Sequence, residues 1–418
     1  MDVVVRKSVV EGEATPPPSK SYTHRALIAA SLSPFARVQN PLISEDTLAT
    51  LNACRSIGAA ASRSKDGFSV EGVQNIRAKG YIYAANSGTT LRLFLGILSL
   101  STSPRYVVLD GDSSLRKRPN HQLATTLNRL GSDIIGDEEY RAPLWVRGVI
   151  KGDYVEIAAK SSQFISSLLF ALPLARGDSV LKVISTKSKP YIDITLHVLE
   201  ESGIEVERED FNFYIPGGQM YSLRSFSVPS DFSSASYLIA AGLLAGDVRI
   251  LNMFESKQGD QKIVDIAREM GGSVKWDKEK GEIRAQKSEL EGVEVDAADI
   301  PDLVPTIAVL AAVARGKTRI FNAEHLRIKE IDRIEGIYSN LRALGVEVEK
   351  KEDGLVITGK GRIEGGTVDS FGDHRMALAF SLLGLVSERG VVVRNAEAIS
   401  VSFPNYFDIL KSLGADLQ

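Results

Sequence analysis

The chain has 418 residues, 44% hydrophobic and 25% charged, which excludes a disordered, collagen-like or disulfide-stapled protein and is enough for two or three domains. Fifty Lys and Arg stand against 53 Asp and Glu, so at a net charge of −3 there is no global basic field for nucleic acid, and any anion site must be built locally. The single cysteine, Cys54, excludes an internal disulfide and a cysteine-rich metal site, and no apolar run is long enough to span a membrane.

In chain order, MDVVVRKSVV reads as one extended strand. Its apolar stretch is too short for a signal peptide, and Glu11 and Glu13 follow it, which transit peptides avoid; a cytoplasmic location is the expectation. Six segments then repeat one plan about every 70 residues, a short polar start followed by an apolar helix-length run. They are PSKSYTHRALIAASL from Pro18, NSGTTLRLFLGILSL from Asn86, SSQFISSLLFALPLA from Ser161, SDFSSASYLIAAGLL from Ser230, PDLVPTIAVLAAVA from Pro301 and GDHRMALAFSLLGL from Gly372. Each leads through a short β-rich stretch into a more amphipathic helix that ends at Gly58, Gly131, Gly203, Gly271, Gly345 or Gly414, where glycine serves as a left-handed stop. The unit is β–α–β–α–β(β), and its first helix, apolar all round, must be buried. Six units divide naturally into two groups of three. The expected domains are therefore 18–228 and 1–17 with 229–418, the first strand joining the latter, so that the chain crosses between lobes twice.

A buried helix offers chemistry at its N-terminus, where N–H groups lack partners and the macrodipole is positive. If both lobes aim these starts into the cleft between them, the cleft attracts anions. Lys20 and Arg25, Arg92, and His374 with Arg375 sit at such starts. The bland alternative is pairing with structural carboxylates such as Asp46 or Asp373. Two further basic stretches are SLRKRPN, with Arg116, Lys117 and Arg118, and HLRIKEIDR, with Arg327, Lys329 and Arg333. Lys117 reads as solvated. Lys329 and Arg333, four apart, are expected on one helical face, with Glu330 beside them as a candidate acid or base.

The motifs PSKSYTHRAL, NSGTTLR, RKRP, SSQF, SKPYIDIT, DFSSASY, IPD, KEIDR, GDHRMA and SFPNYF, in this order, resemble the EPSP synthase (3-phosphoshikimate 1-carboxyvinyltransferase) family over the whole chain. The resemblance implies a two-lobed inside-out α/β barrel of six βαβαββ-type repeats, three per lobe. It implies transfer of the enolpyruvyl group of phosphoenolpyruvate to the 5-hydroxyl of shikimate 3-phosphate, with release of phosphate, no metal and no organic cofactor. The partners implied are these two small molecules, with no nucleic acid and no membrane, and the chain is expected as a monomer. Shikimate 3-phosphate is expected at Lys20, Ser21, Arg25, Ser161, Ser162, Gln163, Ser188, Tyr191, Asp302 and Lys329. Phosphoenolpyruvate is expected at Lys20, Gly88, Arg118, Gln163, Arg333 and Arg375. Asp302 is the implied base, with capping of the following helix as its alternative role. Glu330 is the candidate acid with Lys20 as competitor, and His374 is expected to orient or donate a hydrogen bond.

Two positions depart from the pattern. Val401 stands where the family usually has a lysine that contacts phosphoenolpyruvate, and His325 precedes KEIDR as a possible substitute ligand for the shikimate phosphate. The sister enolpyruvyl transferase acting on UDP-N-acetylglucosamine is disfavoured because the Ser113–Pro119 stretch has no cysteine. A non-catalytic anion-binding protein is disfavoured by Asp302, Glu330 and the arginines. With Gly88 leaving the site roomy, glyphosate is expected to compete with phosphoenolpyruvate.

Overall fold

The computed structural model describes all 418 residues. The chain forms two compact units, one of Pro18–Val228 and one of Met1–Pro17 with Pro229–Gln418. Each has its own hydrophobic core and three four-stranded sheets.

The six sheets share one pattern. In Pro18–Val228, Tyr81–Tyr83 runs parallel to Val107–Asp110, which pairs antiparallel with Leu144–Gly148, itself hairpinned to Ser132–Ile135. The parallel pair brackets the buried helix Gly88–Leu98, and the amphipathic helix His121–Arg129 precedes the hairpin. This is the β–α–β–α–β–β unit expected from the repeat.

Two repeats exchange their first strands. Val10–Ala14, which precedes the helix Lys20–Leu32, pairs parallel with Gly246–Ile250. Ser225–Ser227, which precedes the helix Phe232–Ala245, pairs parallel with Ala36–Gln39. The chain therefore passes from one unit to the other at Pro17–Pro18 and at Val228–Pro229.

The stretch expected as a single strand is two, Val3–Arg6 and Val10–Ala14, in different sheets. Val3–Arg6 lies antiparallel between Val391–Arg394 and Asp416–Leu417. It takes the place of the hairpin strand that the sixth repeat lacks.

The remaining buried helices are Ser162–Ala171, Val304–Val313 and His374–Ser381. Five of the six first helices carry a side-chain cap: Ser19, Ser87, Ser161, Asp231 and Asp373 each accept from a backbone N–H of the first turn. The exception corrects the alternative role of Asp302. Leu303 occupies the cap of Val304–Val313, Pro305 removes one donor, and the Asp302 carboxylate is engaged by arginines instead. All six glycines read as helix stops have positive φ.

Within Pro18–Val228 the first helices run side by side in the same direction, since contacts pair matching turns. Gly88 lies near Gln163, Ser167 Oγ donates to Arg92 O at 2.6 Å, and Arg25 donates to Ser166 at 3.2 Å. Gly96 is where two of these helices approach most closely: an added Cβ would lie 2.7 Å from the Ser167 carbonyl oxygen. Gly96→Ala should therefore destabilise the protein by about 1–3 kcal/mol, although alanine favours a helix by about 1 kcal/mol over glycine. An unchanged or raised urea midpoint would show that the two helices can part without cost.

Candidate active site

In Pro18–Val228 the helix starts gather two groups of cations. Arg25, 1% exposed, donates through Nε to Thr195 Oγ1 at 2.7 Å, through Nη1 to Ser21 O at 2.9 Å, and through Nη2 to Ser166 Oγ and to Tyr191 O at 3.3 Å. All of these partners are neutral, and no carboxylate lies within ion-pair distance. Burial pulls its pKa down to about 10, and the tyrosines Tyr191 and Tyr22 only partly oppose this. A buried cation without a counter-ion is costly, and an anion entering beside Ser21 and Tyr191 would relieve it.

The second group forms around Gly88. An added Cβ there would lie 3.2 Å from Arg118 Nη1 and 3.6 Å from both Arg92 Nη1 and Gln163 Oε1. The missing side chain is what lets two guanidinium groups approach the helix start. Arg118 is buried, donates to Asn86 Oδ1 at 3.0 Å and Ser114 Oγ at 3.3 Å, and keeps its Nε without a partner. Arg92 donates to Gln163 Oε1 at 2.7 Å, and Gln163 in turn donates to Thr89 Oγ1 at 2.9 Å. Arg116, by contrast, is fixed to Asp110, and Lys117 is exposed as expected.

Lys20 begins its helix half-buried and pairs with Asp46 at 3.0 Å, the structural pairing weighed from the sequence. Ser161 caps the Ser162 helix, and Ser162 is buried at its first position. Ser188 is buried with φ +59, a left-handed conformation that serine adopts only at a cost, directly before the Pro190–Glu201 helix that carries Tyr191.

The unit containing residues 229–418 is built on the opposite electrostatic plan. Asp302 accepts from Arg333 Nη1 at 2.9 Å through Oδ1 and from Arg375 Nη2 at 2.8 Å through Oδ2. Arg333, 1% exposed, also holds Asp373 at 2.7 Å and Glu330 at 2.8 Å. Burial disfavours its charge, but Asp373, Glu330 and Asp302 outweigh this and hold its pKa above the usual value. Arg375 reaches Tyr237 OH at 3.5 Å. His374 is buried at the first position of the same helix, its Nδ1 3.9 Å from Asp373 Oδ1.

Lys329 corrects the single-face expectation. It is extended after the 3-10 turn Glu324–Ile328, and the helix begins only at Arg333, capped by Asp332, which accepts from Glu335 N at 3.1 Å. Lys329 and Arg333 thus do not share a helical face. His325 is buried on that 3-10 turn. Val401, half-buried, ends the 3-10 turn Ala396–Val401. No three His, Cys, Asp or Glu side chains are arranged to hold a metal ion, and no helix is long and apolar enough to cross a membrane. Cys54 is buried, and burial pushes its thiol up to about 12, so it is a packing residue.

Sequence reasoning missed one buried line. His24 Nδ1 bonds Thr50 Oγ1 at 2.6 Å, Thr50 bonds Thr90 at 2.6 Å, and Thr90 donates to Ser87 Oγ at 2.8 Å, at the cap of the Gly88 helix. Burial, with Lys20 and Arg25 nearby, keeps His24 neutral, its pKa held well below the usual value. Thr23 and His24 inside an otherwise apolar helix were the available signal.

In one repeat-built unit Arg25 and Arg118 are buried against neutral groups, and in the other Arg333 and Arg375 clamp carboxylates; the comparisons with known proteins place this arrangement. The EPSP synthase (3-phosphoshikimate 1-carboxyvinyltransferase) family profile matches residues 4–410. A 3-phosphoshikimate 1-carboxyvinyltransferase of Archaeoglobus fulgidus is 66% identical over 418 residues, covering 100% of this chain and 99% of the relative. One from Methanosarcina mazei is 43% identical over 431 aligned positions, with 100% and 99% covered. An EPSP synthase structure from Acinetobacter baumannii superposes with a TM-score of 0.85 at 27% identity, covering 100% of this chain and 99% of that one. The enolpyruvyl transferase NikO of Streptomyces tendae shares the fold, with a TM-score of 0.81 at 18% identity over 100% and 98%. The chain belongs to the EPSP synthase family.

The two arginine environments predict unequal losses on removal. Arg333→Met leaves Asp302, Asp373 and Glu330 without their shared cation and should cost about 3–5 kcal/mol. Arg25→Met leaves only neutral partners and should cost about 1 kcal/mol or less. Urea unfolding without ligands measures both, and equal losses would contradict the assignment.

Proposed function

We propose that this enzyme transfers the enolpyruvyl group of phosphoenolpyruvate to the 5-hydroxyl of shikimate 3-phosphate, releasing phosphate. The observation that carries the reading is the contrast in charge. Arg25 and Arg118 are buried with neutral partners only, whereas Asp302 is clamped between Arg333 and Arg375.

Shikimate 3-phosphate takes its carboxylate to Arg25 and Ser21, and its phosphate to the hydroxyls of Ser161, Ser162 and Ser188, with Lys329 adding charge. Tyr191 lines the ring. For phosphoenolpyruvate the family resemblance points to Gly88, Arg118 and Gln163, and to the guanidinium forks of Arg333 and Arg375. Its arrival changes what Asp302 does. Two guanidinium groups occupy both oxygens of Asp302; a substrate anion that takes over their donors frees one of them to accept the proton of the 5-hydroxyl. Glu330, separated from Arg333 in the same exchange, takes up a proton from solvent and gives it to the vinyl carbon, with Lys20 as the competing donor. The tetrahedral adduct then expels phosphate, whose developing charge the arginines stabilise. In the elimination the methyl carbon returns its proton to Glu330, and Asp302 passes the proton it took from the 5-hydroxyl to the departing phosphate. Nothing in this sequence calls for a metal, an organic cofactor or a second copy of the chain, in keeping with a cytoplasmic monomer.

Release of phosphate from phosphoenolpyruvate tests the proposal. It should require shikimate 3-phosphate, and Asp302→Asn and Glu330→Gln should each lower kcat by roughly 10²–10⁴-fold. Release that ignores the second substrate, or full activity in both variants, would overturn the reading. Val401→Lys should lower the KM for phosphoenolpyruvate by about tenfold, the size of one added charge-assisted contact at a partly buried site. Glyphosate should raise that KM without changing kcat, whereas kinetics unaffected by glyphosate would show that the Gly88 space is not shared.

A further inference from the structure

One buried carboxyl remains outside this mechanism. Asp260 is 3% exposed, in the 3-10 turn Gly259–Lys262. The turn is fastened to the start of the Phe232–Ala245 helix. Gln258 accepts from Phe232 N at 3.0 Å and donates to Ser230 O at 2.8 Å, and Ser233 Oγ donates to Asp260 Oδ2. One helical turn beyond Ser233, on the same face, Tyr237 meets Arg375, which in turn holds Asp302. Ser236 on that helix bonds Thr306 Oγ1 at 2.9 Å, tying it to the helix that follows Asp302. No cation lies within ion-pair distance of Asp260.

We propose that Asp260 is a positioning residue of the phosphoenolpyruvate site: with Ser233 it sets the net charge that Arg375 and Asp302 present to the incoming anion. The inference rests on the reading of the site given above. The charged groups that face Asp260 are Asp231 at the cap of the Phe232 helix, Asp302 before the Val304 helix and Arg375 on the His374 helix, while Lys262 of its own turn is exposed. Burial, followed by the charge of Asp302, pushes the Asp260 carboxyl up to about 7, with Ser233 and Arg375 opposing. Neutral Asp260 leaves Arg375 to be shared between Asp302 and the substrate. Ionised Asp260 adds a negative charge in low dielectric beside Asp302 and repels the substrate. Affinity for phosphoenolpyruvate therefore falls as Asp260 loses its proton.

The test is the KM for phosphoenolpyruvate at saturating shikimate 3-phosphate, followed from about pH 6 to about pH 8 in wild type and Asp260→Asn. The phosphate of phosphoenolpyruvate titrates identically in both, so the ratio of wild-type to variant KM isolates Asp260. That ratio should rise about fivefold across the range, and a ratio constant within about twofold would overturn the proposal. Ser233→Ala supplies a second reading should Asp260→Asn fold poorly. Loss of the hydroxyl donor should move the wild-type inflection to higher pH, and a superimposable profile would count equally against the role. Absence of turnover in the wild type at every pH would strike the underlying function rather than this residue.

Discussion

Helices that are apolar on every side leave the protein one place to put polar chemistry. The six first helices of the repeats are buried along their length, so their starts are where unpaired N–H groups, caps and cations collect. The candidate site residues follow from that constraint. Arg25 and Arg92 lie one turn into their helices, Gly88 and His374 at the first position, and Asp302 just before one. Repetition of one supersecondary unit has thus repeated one kind of site, which each unit then fills differently.

The difference is electrostatic. In Pro18–Val228, arginines are buried against hydroxyls, amides and carbonyls, and their charge is left for an anion to neutralise. In the other unit, two arginines are shared among Asp302, Glu330 and Asp373. Under the proposed function the first arrangement serves binding, and the second ties the availability of a base to the arrival of an anion.

Much of this was legible in the residues. The repeat period, the polar starts and the six terminal glycines are local signals, and local signals survive folding: every one of those glycines has positive φ. Strand partners were not legible. Nothing in VEGEA or SFS specifies that these strands trade places between repeats, because a strand's partner is chosen by tertiary packing. Asp302 misled in its alternative role because a carboxylate before a helix satisfies the capping pattern whether or not arginines claim it. Lys329 and Arg333 misled because spacing of four implies one face only within a helix, and Asp332 starts the helix between them. Asp260 left no trace in the sequence, since GDQK reads as a solvated turn and only the packing of Gln258 and Ser233 buries it.

The strand Val3–Arg6 has a consequence for how the protein is made. It leaves the ribosome long before its neighbours Val391–Arg394 and Asp416–Leu417. Pro18–Val228 has its sheets in hand once Ser225–Ser227 has emerged, and so can consolidate during translation. The sixth sheet must wait for those two strands, holding an apolar Val-Val-Val segment unpaired until they emerge.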